Sequence, residues 1–224
     1  MDKIPAESGS THTPNIGAIY EITVFDTEGK VKQVVKDEAK CFVRNFLRMM
    51  RYLFRNGFVL NCNNWVLPPP LYEDIRNLAG AIVQTSGRFL TGGSNPYPFN
   101  YAGAFVADGA AGDAGKGIVM GTDATPVTND DYKLGAIIPH GTGAGQMSYD
   151  VVAFAPMSIA GNVLTIPISR MIANNTANPI TFAEIGLYTV GGASMMILRD
   201  VISPAVVINP GEATLIAYRI VLNG

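Results

Sequence analysis

The groups in this chain that could attack, accept a proton or hold a metal are few. Only two histidines occur, His12 within MDKIPAESGSTHTPN and His140 within IIPHGTG. A loop histidine with a carboxylate beside it is the usual proton acceptor at neutral pH, and Asp130 and Asp131 lie near His140 in the sequence. Catalysis also needs a nucleophile and a stabilising donor aimed at one point, and neither histidine has them in its vicinity, so His140 reads as a turn residue. Cys41 and Cys62 have no zinc-ligand spacing and are too few for a disulfide scaffold; both read as free thiols. Asp108, Asp113 and Asp123 carry the oxygen ligands calcium prefers, but their spacing fits no EF-hand loop. No metal site, no cofactor and no catalytic residue is expected.

Two glycine-rich runs invite a nucleotide reading and fail it. In GDAGKG, residues 112–117, Ala110 stands where a Walker loop needs its first glycine, and Gly117 where it needs Ser or Thr. In HGTGAGQ the glycines at 141, 143 and 145 miss the dinucleotide-binding spacing, and no helix start follows. Both runs read as turns with positive φ. Asn174-Asn175-Thr176 matches a glycosylation acceptor, but the start of the sequence lacks the basic and apolar regions of a signal peptide. The expectation is a protein made and used in the cytosol, or delivered without a Sec signal.

Binding chemistry is better represented. Lys40, Arg44, Arg48, Arg51 and Arg55 recur at spacings of three and four, which places them on one side of a helix as a basic ridge. Such a ridge can bind acidic protein, phosphate or anionic lipid, or it can be a solvated polar face. Tyr97, Phe99 and Tyr101 in NPYPFNYAG form an aromatic group suited to a glycan platform or to docking against a neighbouring subunit.

The elements that must carry these groups are mostly strands. Ile16 to Asp26 alternates as a strand, Thr27-Glu28-Gly29 turns, and KVKQVV returns, an exposed basic hairpin. A helix from about Asp37 to Asn56 follows, burying Phe42, Phe46, Met50 and Leu53, with Val43 and Leu47 beside them. Short apolar runs then recur between glycine, proline and asparagine: GIVMGT, YKLGAII, YDVVAFAPMSIAG, NVLTIPISRMIAN, TFAEIGLYTV, SMMILRDVI and ATLIAYRIVL. They predict a mainly β fold, an antiparallel β-sandwich, jelly-roll-like, with an N-terminal arm or hairpin and one amphipathic α-helix. Residues 1–57 form the arm, hairpin and helix, and 58–224 the sandwich, with a long loop around 91–117. The stretch from Thr181 to Ile202 reads as a hairpin turning at Gly191-Gly192 and apolar on both faces, so something beyond its own sheet must cover it: a second sheet, a helix or another subunit.

Charged residues make up 15% of the chain, against roughly 25% in an average soluble domain. Eleven of the sixteen Lys and Arg residues lie in the first 88 positions, and only Lys116, Lys133, Arg170, Arg199 and Arg219 follow. A surface so poor in charge predicts a chain covered by partners. The net charge of −2 argues against direct nucleic-acid binding, and no apolar run reaches the length of a membrane span.

The order GIVMGTD, DYKLG, HGTGAGQMSY, then EIGLY, LRD and PGE before ATLIAYRIVL resembles a pattern found in structural proteins of tailed bacteriophage particles, over roughly Gly117 to Leu222. The resemblance implies a non-enzymatic component of the virion, located in tail, baseplate, neck or capsid accessory structures, whose partners are copies of itself and other virion proteins. A capsid decoration or head-fibre protein, or a receptor- or carbohydrate-binding sandwich, is the alternative. Within the pattern, Pro210-Gly211-Glu212 predicts a tight turn, and Glu184 and Arg219 are candidate cross-strand partners. The segment before Gly57 is expected to be the assembly element, with Arg44, Arg48, Arg51 and Arg55 toward an acidic partner.

Overall fold

The computed structural model describes residues 15–39, 42–48, 73–85, 107–191 and 193–223. The chain forms β1 (Asn15–Phe25), β2 (Val31–Glu38), β3 (Glu73–Arg76), β4 (Ile82–Thr85), β5 (Gly117–Gly121), β6 (Ser148–Phe154), β7 (Ser158–Ala160), β8 (Val163–Ala173), β9 (Ile180–Gly191), β10 (Ala193–Ile208) and β11 (Ala213–Asn223). Every pairing between them is antiparallel.

The period of two in each strand sorts side chains to two faces. In β1, Ala18, Tyr20, Ile22 and Val24 are buried while their odd-numbered neighbours are half-buried. The same alternation places Thr214, Ile216 and Tyr218 of β11 inward. Six strands join in the order β2-β1-β11-β8-β6, with β7 also paired to β8. A second sheet runs β10-β9-β5, and β3 and β4 form a separate hairpin.

The chain leaves β8, makes the β9–β10 hairpin in the second sheet, and returns as β11 beside β8. Register runs without a shift from Ala213 opposite Ala173 to Asn223 opposite Val163. This nesting of one hairpin within another is the jelly-roll-like feature of an antiparallel sandwich. Polar ties cross between the sheets: the buried Tyr218 hydroxyl donates to Asp200 at 3.0 Å, and the Met120 amide donates to the Tyr149 hydroxyl at 3.2 Å. Ile22, Ile172 and Ile216 of the larger sheet and Ile118, Ile185 and Leu187 of the smaller belong to one buried apolar cluster.

The hairpin of β9 and β10 is buried on both faces, from Phe182 to Thr189 and from Met195 to Asp200. One face meets the six-stranded sheet. The other is covered by the same chain: Phe42 bridges to Leu198, the Val43 amide donates to the Ile197 carbonyl at 3.2 Å, and a loop spanning 121–138 lies across Glu184, Gly186 and Tyr188. No second subunit is needed to explain that burial.

Two expectations are corrected at the N-terminal end. The helix does not start near Asp37, because β1 pairs with β2 as far as Tyr20 opposite Asp37 and Ile19 opposite Glu38. Among the described residues the helical turn covers 44–48. Val43 and Phe46 are buried, and Phe46 stacks on Phe42 with ring centroids 4.1 Å apart, but Leu47 is exposed. Met50 and Leu53 lie outside the described residues. The first hairpin is also part of the sandwich, since β1 lies between β2 and β11 and supplies core residues. Its turn is built as expected: the Asp26 carboxylate accepts the amides of Glu28 and Lys30, each at 2.9 Å, and Gly29 takes φ 78°.

Candidate functional site

Among the described residues, a dense gathering of charged side chains lies on the outer face of the second sheet. In β9 and β10, Val201 pairs with Glu184 and Arg199 with Gly186, so Glu184 and Arg199 are diagonal neighbours. Arg199 Nε donates to Glu184 Oε2 at 2.9 Å, and Nη1 donates to Asp131 Oδ2 at 2.7 Å. Nη2 lies 2.9 Å from Glu184 Oε2 and 3.5 Å from Asp123 Oδ2. One guanidinium thus occupies the point where three carboxylates converge, and its side chain is 3% exposed.

Those carboxylates in turn hold the covering loop. Glu184 accepts the amides of Ala136 at 3.0 Å, Gly135 at 3.2 Å and Asp123 at 3.4 Å. The Leu134 amide donates to the Tyr188 hydroxyl at 2.7 Å. Asp131 accepts the Thr128 amide and hydroxyl, and Asp123 those of Thr125. The packing leaves no room for side chains at two glycines. A Cβ at Gly121 would lie 2.3 Å from Glu184 Oε1 and 2.7 Å from the Ala136 carbonyl, and one at Gly135 would fall 1.8 Å from Asp123 Oδ2.

The electrostatics match this arrangement. Hydrogen bonds from Thr125 hold the Asp123 carboxyl below the usual carboxylate range. Burial pushes Asp131 up, but hydrogen bonds from Thr128 and Arg199 outweigh it and bring it below that range. Burial likewise pushes the Arg199 guanidinium down, and the bonds from Asp131 and Glu184 reverse the effect and raise it. The assembly is a charge clamp, and both threonine hydroxyls within it are already donating to carboxylates.

Beside the clamp, a shallow cleft of about 360 Å³ is lined by Arg76, Asp130, Tyr132 and Lys133 among others, with Arg76 stacked 4.1 Å above the Tyr132 ring. A neighbouring cleft of about 210 Å³ includes Arg44, Asn45 and Arg48. Asn45 ties the helical turn to β3, donating to the Arg76 carbonyl at 2.7 Å and accepting its amide at 3.0 Å. Arg44 does face an acidic group, but one of its own chain: Asp130, at 2.8 Å, with both side chains exposed. Arg51, Arg55, Tyr97, Phe99 and Tyr101 lie outside the described residues.

The pairing expected between Glu184 and Arg219 is absent. Arg219 lies on the outward face of β11 and pairs with Glu21 of β1 at 2.9 Å, whereas Glu184 belongs to the other sheet. Among the described residues His140 has no carboxylate partner: Nδ1 accepts the Tyr149 amide at 3.2 Å, Asp130 faces Arg44, and Asp131 faces Arg199. Gly112 and Gly117 of the first glycine-rich run, and Gly141 and Gly145 of the second, all take positive φ, as the turn reading predicts. Asn174 is fully buried and donates to the carbonyls of Asn178 and Ile208, so its amide is committed inside the fold.

One structural keystone was not anticipated. Arg170 of β8, 1% exposed, donates to four main-chain carbonyls, those of Asp150, Lys116, Ile118 and Ala110, at 2.7 to 3.0 Å. It also lies 4.8 Å over the Tyr149 ring. The signal available was a single charge following an uncharged run, but nothing in that pattern says the partners are carbonyls.

Among the described residues, no group of three His, Cys, Asp or Glu gathers where a metal ion could be held, and no helix is long and apolar enough to cross a membrane. Comparison of the chain with protein-family models, with curated proteins and with solved structures finds no match.

Proposed function

We propose that this protein is a non-enzymatic structural protein of a tailed-bacteriophage virion, acting as a homo-oligomeric component of the tail, baseplate or neck. The supporting observation is where the residues that carry the resemblance lie. Asp123 of GTD, Asp131, Leu134 and Gly135 of DYKLG, Glu184 and Tyr188 of EIGLY, and Arg199 of LRD all belong to one clamp. Asp200 of LRD ties the two sheets, and Glu212 of PGE accepts the Asn209 amide at 2.8 Å and Lys32 at 2.6 Å. These residues brace a loop-covered sandwich, and their carboxylates accept hydrogen bonds in doing so. A block braced by buried charges suits a particle subunit better than a reaction centre.

The test is mass spectrometry of purified virions together with the native mass of the recombinant chain. A fixed copy number in particles and an oligomer in solution are expected. A stable monomer at micromolar concentration that is absent from particles overturns the reading. Strong binding of the isolated protein to a glycan array, without a place in the particle, shifts the assignment to a receptor-binding sandwich.

A further inference from the structure

Two segments outside the sheets are fastened to the sandwich by one buried arginine each, and the acceptors differ. Arg170 holds residues 107–116 through main-chain carbonyls, those of Ala110 at 2.8 Å and Lys116 at 2.9 Å. Arg199 holds residues 122–137 through carboxylates, Asp131 at 2.7 Å and Asp123 at 3.5 Å. The second segment is a flap with a narrow stem, where Gly121 bridges to Ile137 and the Thr122 amide donates to the Ala136 carbonyl at 2.8 Å. Between Thr122 and Ile137 only Leu134 is buried. It sits over Gly186, where a Cβ would lie 2.9 Å from Leu134 Cδ2. The hydrogen bonds from the flap to β9 are polar ties to side chains: Glu184 accepts the amides of Asp123, Gly135 and Ala136, and the Tyr188 hydroxyl accepts that of Leu134. A segment with one apolar anchor and mostly exposed residues belongs to the low-stability end of a fold.

We infer that residues 122–137 form an acid-released flap, which lifts from the outer face of β9 and β10 as a unit while both sheets and the 107–116 segment stay folded. Charge decides which segment lets go. The flap itself carries Asp123, Asp130, Asp131, Tyr132 and Lys133. Facing it are Glu184 and Tyr188 from β9, Arg199 from β10, Arg44 from the helical turn, paired with Asp130, and Arg76 from β3, stacked on Tyr132. Protonating Asp123, Asp131 and Glu184 removes the three anions around Arg199 and leaves its cation buried beneath the flap. A buried charge without a counter-ion favours opening to water.

The direction with pH follows. Asp123 and Asp131 titrate below the usual carboxylate range in the closed form, so their hold is complete above about 4 and is lost as pH falls through the folded values. The anchor of the 107–116 segment does not respond in this way. Arg170 donates to the carbonyls of Ala110, Lys116, Ile118 and Asp150, which do not titrate, and Asp113 and Asp150 act on it only through space. The sheets are joined by main-chain ladders and one apolar cluster, neither of which needs a carboxylate. Opening uncovers Gly186, the Tyr188 hydroxyl and the Glu184–Arg199 pair.

The experiment is hydrogen exchange on the full chain at pH 7 and pH 3, read amide by amide by NMR against free-peptide rates. Three groups are compared: Leu134, Gly135 and Ala136 in the flap, Gly112 and Val152 where the other segment meets β6, and Leu187 and Ile216 within the sheets. All are expected to be protected at pH 7. At pH 3 the flap should lose protection by about 100-fold or more, while the other two groups change by less than about tenfold. A flap that keeps its protection at pH 3, that loses it together with Gly112 and Ile216, or that is already unprotected at pH 7 overturns the inference. The double variant Asp131→Asn with Glu184→Gln, checked for an unchanged circular dichroism spectrum, removes the charges without acid. Its flap should exchange about 100-fold faster than wild type at pH 7 with Gly112 unaffected, and wild-type protection in that variant contradicts the proposed release. The virion role does not depend on either outcome.

Discussion

Arg199 balances the charge under the covering loop, and its removal leaves Glu184 buried without its cation. Arg199→Ala is expected to cost about 3–5 kcal/mol, and pairing Glu184→Gln with Arg199→Met is expected to recover part of it, as measured by urea denaturation in a double-mutant cycle. Gly121→Ala places a methyl group against the Ala136 carbonyl and the Glu184 carboxylate, and overpacking of that kind costs about 1–3 kcal/mol. The acid response follows from the same carboxylates. Asp123, Asp131 and Glu212 all titrate lower in the folded chain than a free carboxylate, so on acidification the unfolded chain takes up protons first. Their stabilisation is complete above the unfolded value of about 4 and is lost as pH falls through the folded values. Melting temperature should therefore hold near neutrality and drop in acid, with a lower plateau and shallower drop in Asp131→Asn. Tyr20 and Tyr149 work oppositely: burial raises both phenols to about 12, so stability should decline between the unfolded value of about 10 and pH 12. In the sequence, Glu184 and Arg199 were legible as unusual charges among apolar residues. Their partnership was not, because Arg219 offered an equally good alternation and only the assignment of strands to sheets decides between them.

Among the elements, the strands were the most readable. The hairpin of β9 and β10 and the turn at Asp26 to Gly29 follow directly from alternation and turn chemistry, since a period of two and a glycine at positive φ leave little choice. The helix was less readable because an amphipathic pattern persists through residues that a neighbouring strand has captured: Asp37 suits a helix cap, but pairing to Tyr20 keeps it extended. Burial within the turn still follows the pattern at Phe46, which is 5% exposed and stacked on Phe42. Phe46→Ala should lower stability by about 3 kcal/mol. Arg48→Ala should lower it by well under 1 kcal/mol, the usual range for substitutions away from the core. Equal melting temperatures for the two would contradict the assignment of faces. A division of the chain at residue 57 makes the first hairpin look separable from the sandwich. With β1 lying between β2 and β11, a chain starting at residue 37 should lose cooperative thermal unfolding altogether.

For the molecule as a whole, the low charge content predicts how association responds to solution conditions. An association that buries uncharged surface has no ion pairs to screen, so raising salt from dilute buffer to about 1 M should leave it intact or strengthen it. Dissociation on adding salt would point instead to a charged interface, such as one involving Arg44 and Arg48.

The pairing of β1 with β11 has a consequence in time. Ile16 lies opposite Leu222 and Phe25 opposite Ala213, so the first strand of the six-stranded sheet waits for the last to be synthesised. At ribosomal rates of 5–20 residues per second that wait is roughly 10–40 s, during which β2 is the only neighbour β1 can find. Contacts so distant along the chain make closure of the sheet a late and slow step. The β9–β10 hairpin, whose partners are adjacent in sequence, has no such wait. Chain order thus makes the strands of the smaller sheet available before β11, and the larger sheet is completed later.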